Sequence, residues 1–183
     1  MHRRIIAMIL ILIMVFGTSS VFAAADPAVT IVNPSASSTI YSDNLLVSVK
    51  VAKPATIRVN VYRVMKPATV AGGSPTAISI ETYQKNLKAD AASKISLTRV
   101  QAMAPVTQTY TASLSFYTKK LENIKPGVYI IKVDTIDSAG RALYSSEIYV
   151  GVKSKDESAA VFDSNQSGTM QFFKTVLKGI FGS

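Results

Sequence analysis

The chain has 183 residues, of which 20 are Lys or Arg, 11 are Asp or Glu, one is His and none is Cys or Trp. The histidine is His2, so the rest of the chain lacks the side chains for a Ser-His-Asp or Cys-His nucleophile system, a cysteine redox site or a His/Cys zinc site. The formal net charge of +9 suits an anionic partner outside the cell, although it also keeps a protein soluble.

Residues 1–25 have the pattern of a secretory signal peptide. Arg3-Arg4 forms a short positive region, an apolar run from Ile5 to Phe16 follows, and Ala23-Ala24-Ala25 supplies small residues at the cleavage positions. Cleavage is expected before Asp26, with a cut two residues earlier as the alternative. Because the apolar run is shorter than the ~20 residues of a membrane-spanning helix, we favour cleavage over an uncleaved anchor. We therefore expect a secreted or extracellular protein, either free or associated with the cell envelope.

Several short stretches after residue 25 alternate between apolar and polar residues and end at turn residues, as half-buried strands do. In the stretch that begins at Tyr110, the expected apolar face holds Tyr110, Ala112, Leu114 and Phe116. Strands at short spacing without amphipathic helices between them predict an all-β fold of packed sheets. The predicted strands cover Val29 to Val32, Leu45 to Val51, Ile57 to Val61, Tyr110 to Tyr117, Tyr129 to Val133 and Ile148 to Val152.

A long insertion from about residue 65 to 109 separates these strands into two groups. It contains a flexible turn at 71–75, a short alternation at Ile78 and Ile80, and a helical pattern from Glu81 to Ala92 with Tyr83 and Leu87 on one face. A segment of this length without structure of its own would be unusual, so we expect extra strands or a small helix at one end of the fold. This elaboration is either a candidate binding surface or a packing element.

The last two predicted strands flank Asp137-Ser138-Ala139-Gly140-Arg141, which predicts a hairpin. The Asp side chain can bond the backbone two residues further on, and the Gly can take a positive φ. Together with Lys125-Pro126-Gly127-Val128-Tyr129 at the start of the first strand and Ile148-Tyr149-Val150 in the second, this segment resembles the end of bacterial immunoglobulin-like and fibronectin type III-like surface domains.

The resemblance implies an immunoglobulin-like antiparallel β-sandwich over residues 26–153, with the insertion within it. In that superfamily a tyrosine at the start of the penultimate strand bonds backbone at the corner of the sandwich, so Tyr129 would be the structural corner residue. Ile131 would occupy the core position that a Cys holds in antibody domains. The chain lacks the core Trp and both Cys residues of the antibody pattern.

Residues 154–168 are polar and weakly patterned, which predicts a linker, and residues 169–183 predict an amphipathic helix. A helix this short needs a surface to lie on, so it docks on the sandwich, self-associates or binds a membrane or partner protein. On the last interpretation, the residues in contact with the membrane or partner are Met170, Phe172, Phe173, Lys174, Leu177, Lys178 and Phe181.

The carboxylates show no catalytic spacing. Asp134 and Asp137 are conceivable calcium ligands, but the turn explains Asp137 without a metal. We assign no catalytic residue, metal or cofactor, and expect a non-enzymatic binding or assembly protein of the envelope or extracellular space. Its expected partners are an anionic cell-wall polymer, a membrane surface or another envelope protein, but not nucleic acid, because the basic residues are dispersed. The alternatives are a membrane-associating protein that acts through the C-terminal helix, and a hydrolase whose carboxylate pair is assembled in three dimensions.

Overall fold

The computed structural model of the protein describes residues 24–68 and 72–155. The predicted tail helix, with its contact residues Met170, Phe172, Phe173, Lys174, Leu177, Lys178 and Phe181, lies outside the described residues, as do residues 1–23 of the predicted leader and most of the predicted linker. The strands are β1 (Val29–Asn33), β2 (Thr39–Tyr41), β3 (Leu45–Val51), β4 (Ala55–Lys66), β5 (Thr76–Ala77), β6 (Thr98–Tyr110), β7 (Ser115–Leu121), β8 (Gly127–Ile136) and β9 (Ala142–Lys153), and the helix is α1 (Ile80–Lys88).

These strands form two sheets. The smaller sheet has the order β1-β3-β7, and the larger has the order β2-β9-β8-β4, where β4 also pairs with β5 and β6. The pairings are antiparallel apart from that of β2 with β9, which is parallel. The prediction of an all-β fold is therefore confirmed, and the predicted strand from Leu45 to Val51 has the same bounds as β3.

The two sheets bury one shared core. Strand β3 shows the cause, because its alternate residues from Leu45 to Val51 are all β-branched or aliphatic and fully buried, while Ser48 and Lys50 point to the other face. Each such side chain stabilises the fold by roughly 1.5 to 3 kcal/mol. The larger sheet contributes the side chains of Ile57, Val59, Val61, Tyr129, Ile131, Val133, Val150 and Val152 to the same cluster.

The predicted hairpin between β8 and β9 is confirmed. The Oδ1 atom of Asp137 accepts hydrogen bonds from the backbone N–H groups of Ala139 and Arg141, each at 2.9 Å. Gly140 has a φ of +77°, a conformation that favours glycine. The Arg141 guanidinium bonds the other oxygen of Asp137 at 2.8 Å. These backbone and arginine bonds hold the pKa of Asp137 below its usual value.

Helix α1 lies on the outer face of the larger sheet. It begins after Ser79, whose hydroxyl accepts a hydrogen bond from the Thr82 N–H at 3.2 Å. Ile80 and Tyr83 are buried, and the Tyr83 ring meets Tyr149 edge-on at a centroid distance of 5.1 Å. The predicted helix is present and ends at Lys88, and it buries only its first turn, so Leu87, one turn beyond Tyr83, is 48% exposed.

The expectation of one strand from Tyr110 to Tyr117 is also wrong. β6 ends at Tyr110, the connection 111–114 crosses to the smaller sheet, and β7 begins at Ser115. Leu114 and Phe116 are exposed, and Tyr117 points inward instead. The register with β3 is the cause: Tyr117 pairs with the inward-facing Val49, whereas its neighbour pairs with outward-facing Lys50. A shift of one residue moves every side chain of a strand to the other face.

Candidate interaction surface on the open side of the two sheets

Two outer strands leave one side of the molecule uncovered. β6 is an outer strand of the larger sheet and pairs with β4, and β7 is an outer strand of the smaller sheet and pairs with β3. The short connection 111–114 joins them, so both edges lie on the same side. We call β6, this connection and β7 the open side. Among the described residues, no backbone hydrogen bond joins the outer edge of β6 to another segment.

The open side carries a long uncharged segment. Residues 100–118 include no Asp, Glu, Lys, Arg or His, although 17% of the chain is charged. Several apolar side chains of this segment are exposed, with Leu114 and Phe116 at 60% and 57% of their full accessibility. Exposed apolar groups beside free backbone donors and acceptors are typical of a surface that pairs with another chain.

A bulge interrupts β6 in its middle. Val59 lies opposite Val106, but Val61 lies opposite Met103, so β6 contains an extra residue between these pairs. Pro105 falls in this stretch and has no backbone N–H to donate. Bulges and prolines are devices by which edge strands avoid pairing. The protection is local, however, and residues 106–110 beyond it form a regular, unprotected edge with the sequence Val-Thr-Gln-Thr-Tyr.

Strand β7 is protected by a lysine. Lys119 pairs with Val47, whose side chain is in the core, so the lysine starts on the inward-facing side of its strand. It is nevertheless exposed, as its long side chain reaches out past the sheet edge. Inward-pointing charges on edge strands oppose the addition of a further strand. Residues 106–110 are therefore the part of the open side best suited to strand pairing.

Two tyrosine hydroxyls are buried beside this edge. Within the part of the chain that the structure describes, the hydroxyl groups of Tyr110 and Tyr117 have no hydrogen-bond partner. Burial raises the pKa of both residues, and the Tyr110 hydroxyl adds to the shift of the pKa of Tyr117, so the two groups lie near each other. Buried polar groups without partners lower the stability of a fold by about 1 to 3 kcal/mol each, which is why they are rare.

The opposite edge of the larger sheet is covered. The Ser37 N–H donates to the carbonyl oxygen of Tyr149 at 2.8 Å, and the Gly151 N–H donates to that of Ser38 at 2.9 Å. β2 continues this cover along the end of β9, and near the hairpin the Ser145 N–H donates to the carbonyl oxygen of Ala24 at 3.0 Å. The chain itself thus covers the outer edge of β9 at Ser145 and from Tyr149 to Lys153.

Tyr129, the residue singled out by the sequence, lies at the start of β8. Its ring is 3% exposed, and its hydroxyl donates a hydrogen bond of 2.8 Å to the carbonyl oxygen of Lys125. Burial raises the pKa of this hydroxyl, while the nearby Arg63 guanidinium and the bond to Lys125 act in the opposite direction. The hydrogen bond therefore holds the segment before β8, at Lys125, against the core.

Most of the acidic residues on the strands and the helix sit in separate pairs with basic ones. Asp134 is buried on the outer face of the larger sheet, where it meets Lys132 at 3.0 Å and accepts a hydrogen bond from the Ser145 hydroxyl at 2.7 Å. Arg99 of β6 forms two bonds to Glu147 of β9, at 2.7 and 2.8 Å. Within residues 24–68 and 72–155, no three Asp, Glu or His side chains gather as metal ligands would.

No protein-family model matches this chain, and no curated protein is significantly similar to it. In the described part of the chain, no helix combines the length and the apolar character that spanning a bilayer requires. The structure brings Tyr129 into the core and leaves the predicted tail contacts outside its range, so it places no two predicted site residues together. The edge 106–110 was not predicted, although a charge-free run through residues 100–118 is visible in the sequence.

Proposed function

We propose that this protein is a secreted, non-enzymatic binding or assembly protein of the cell envelope or extracellular space, and that it binds its partner through the open side. The observation that carries the proposal is the contrast between strands β9 and β6 of the larger sheet. The edge of β9 is covered by the chain itself, whereas residues 106–110 of β6 offer regular backbone donors and acceptors with no charge beside them.

An added strand is the mode of binding that this edge suits. In strand addition, backbone hydrogen bonds supply the affinity, and the alternating side chains supply the specificity. Val106, Gln108 and Tyr110 share the inward-facing side of β6, because Val106 and Tyr110 pack against the core cluster. Thr107 and Thr109 share the outward-facing side and are exposed. A partner strand would therefore meet a mixed face on one side and hydroxyl groups on the other.

We propose further that the two sheets form an immunoglobulin-like sandwich. The order β1-β3-β7 corresponds to strands A, B and E of that fold, and β9-β8-β4 corresponds to G, F and C. On this correspondence β6 takes the place of the C′ strand of variable-type domains. The bond from the Tyr129 hydroxyl to the Lys125 carbonyl supports the role of corner tyrosine for this residue.

The ion pairs support a non-enzymatic role. A carboxylate pair for hydrolysis needs one acid group with a raised pKa beside a second carboxylate. In the described residues, hydrogen bonds to backbone, serine or basic side chains lower the pKa values of three carboxyl groups, those of Glu81, Glu122 and Asp137. Asp134 is buried against Lys132 and Ser145 instead of a second acid.

The proposal can be tested in the host that secretes the protein. A photoactivatable amino acid replaces Gln108 in β6, and the control carries it at Tyr41 in β2, which is exposed on the covered side. Illumination should give a covalent adduct of defined mass with the probe at position 108 and none at position 41. Adducts at position 41 alone, or none at either position, would overturn the proposal that the open side binds a partner.

The amphipathic pattern of residues 169–183 favours a second candidate function, which is association with an anionic membrane surface. Two lysines near such a surface contribute about 1 kcal/mol each, and apolar side chains add to this. A protein truncated after Gly168 should keep the thermal midpoint of the full chain and lose its co-sedimentation with anionic lipid vesicles. A lower midpoint together with no vesicle binding by the full chain would place the tail in the fold instead.

A further inference from the structure

We infer that the partner of residues 106–110 is a second copy of this chain, which pairs antiparallel to the first around a two-fold axis at Gln108. The inference deepens the proposed function and rests on it, because it requires the open side to be a binding surface. The lack of charge along residues 106–110 indicates the partner, and the alternation of their side chains between the two faces of β6 indicates the register.

The partner follows from charge. The chain has a net charge of +9, so two copies repel each other when most of their surfaces approach. Residues 100–118 avoid this repulsion, because they contain no charged side chain. Arg58, which lies opposite Thr107 in the adjoining strand, is 3.8 Å from the carboxylate of Asp134. An acidic partner would find no cation along residues 106–110, whereas a second copy meets an edge that does not repel it.

The register follows from the faces of the strand. In a continued sheet, residues opposite each other must point to the same face, so odd-numbered residues pair with odd and even with even. Centring the pairing on Thr107 would bring Pro105 into the ladder, and centring it on Thr109 would extend it past the end of β6 at Tyr110. Centring the pairing on Gln108 includes all of residues 106–110. It leaves both the bulge and the connection 111–114 outside the paired region.

The side-chain pairs in this register are favourable. Val106 of each copy lies opposite Tyr110 of the other, and Thr107 lies opposite Thr109. Pairs of β-branched with aromatic residues and pairs of threonines stabilise adjacent antiparallel strands. Gln108 lies opposite its own copy on the axis, where two amide groups can donate to and accept from each other. The same patch serves both copies, as a closed two-fold dimer requires.

Cysteine cross-linking tests the register, because the chain contains no cysteine of its own. Directly opposite residues in antiparallel strands have Cα atoms ~4.5 or ~5.5 Å apart, and both spacings allow a disulfide bond. Under mild oxidation of the full secreted protein, Gln108→Cys should give a covalent dimer. Thr109→Cys alone should not, but a mixture of Thr107→Cys with Thr109→Cys should. A dimer from Thr109→Cys alone and none from Gln108→Cys would overturn this register.

A charge exchange tests the two-fold axis without a covalent bond. Gln108→Lys and Gln108→Glu each place like charges opposite each other, so sedimentation should show each variant as a monomer at concentrations where the unchanged protein dimerises. An equimolar mixture should recover the dimer. Both variants change an exposed side chain, and circular dichroism checks that they fold. Dimers of each single variant, or a mixture that stays monomeric, would contradict pairing at Gln108.

The failure of this inference is distinguishable from failure of the proposed function. A photo-cross-link from position 108 to a protein of different mass, together with a monomeric unchanged protein, overturns self-pairing and leaves the open side as a binding surface. No photo-cross-link from position 108 and no disulfide dimer of Gln108→Cys overturn both. A cross-link whose mass is twice that of the chain supports both.

Discussion

Strands β9 and β6 of the larger sheet differ in how their edges away from the sheet centre are satisfied. Strand β9 is bordered by β2 and by backbone bonds from Ser37, Ser38 and Ala24, all supplied by the N-terminal part of the chain. Strand β6 is the longest strand of the described residues, with 13 residues, and its outer edge receives no such cover from them. Within one sheet, therefore, the chain covers one edge, and the described residues leave the other without cover.

The edges of β9 and β6 are protected from pairing with another strand by different parts of the chain. The cover of β9 is tertiary, since segments distant in sequence supply it. The protection of β6 is local: a bulge and Pro105 block pairing in the middle of the strand, and Arg99 places a charge near its start. Residues 106–110 receive neither kind. A free, regular and uncharged strand edge of this kind carries a risk of aggregation.

The largest expected effect of a single substitution lies on the covered edge. A Cβ atom on Gly151 would stand 2.8 Å from the Cβ of Ile80, so Gly151→Ala must push helix α1 away from β9. Overpacking of this kind costs about 1 to 3 kcal/mol. Chemical denaturation at low protein concentration should show that loss, while the control Thr107→Val on the open edge should change the free energy of unfolding by less than ~0.5 kcal/mol. Equal losses in both variants would remove the contrast between the edges.

A pair of tyrosines sharpens the comparison. Tyr129 and Tyr117 are similarly buried, but the hydroxyl of Tyr129 bonds a backbone carbonyl and that of Tyr117 has no partner among residues 24–68 and 72–155. Tyr129→Phe should therefore destabilise the fold by about 1 kcal/mol, the usual net contribution of such a bond. Tyr117→Phe should be neutral or raise the stability by up to ~1 kcal/mol, because it removes an unpaired buried group. The opposite order of midpoints in urea would contradict this assignment.

Alkaline pH should reveal the same buried hydroxyls. Burial raises the pKa values of Tyr83, Tyr110, Tyr117 and Tyr129, whereas tyrosine in an unfolded chain titrates near pH ~10. Since the folded pKa is the higher one, the stabilisation is complete below the unfolded pKa and is lost as pH rises through the folded value. Phenolate absorbance should show these residues ionising after the exposed tyrosines and together with unfolding. Ionisation of all eight tyrosines in one step before unfolding would contradict their burial.

The smallest expected effect belongs to the ion pair between β6 and β9. Arg99 of β6 reaches over the sheet to Glu147 of β9, and both side chains are partly exposed. Exposed ion pairs contribute about 0 to 1 kcal/mol, and salt screens them. Arg99→Ala should lower the free energy of unfolding within that range, and the difference from the unchanged protein should shrink at high salt. If salt does not reduce the loss of unfolding free energy, then packing and not charge accounts for the contribution of Arg99.

Local patterns in the sequence predicted the parts of the fold that depend on neighbours along the chain. Leu45 to Val51 alternates without interruption and forms β3 with those bounds, and the turn from Asp137 to Arg141 carries its own hydrogen bonds. Phe116 was placed on the wrong face, because its orientation depends on the pairing of β7 with β3, whose partner lies far away in sequence. β6 was missed for the same reason, since β4 pairs with it across the intervening helix.

The candidate site was harder to predict than the fold. Tyr129 follows from a motif at the start of a strand, but an open edge is defined by the absence of a neighbouring strand, and no local pattern encodes that. The run without charge from residue 100 to 118 is the part of the signal that the sequence does contain. Only the sheet order shows that this run lies at an outer edge, and only the register shows that residues 106–110 escape the bulge.

Amide hydrogen exchange of the full-length protein, followed by mass spectrometry at a series of protein concentrations, compares the two edges in one experiment. The amides of β9 that bond to β8, and those of Ser145 and Gly151 that donate to Ala24 and Ser38, should exchange slowly at every concentration. Residues 106–110 should exchange quickly in dilute protein and slow down as the concentration rises and the edge is filled by a second copy. Slow exchange of residues 106–110 at the lowest concentration, or exchange that does not change with concentration, would contradict a free edge that pairs with another molecule.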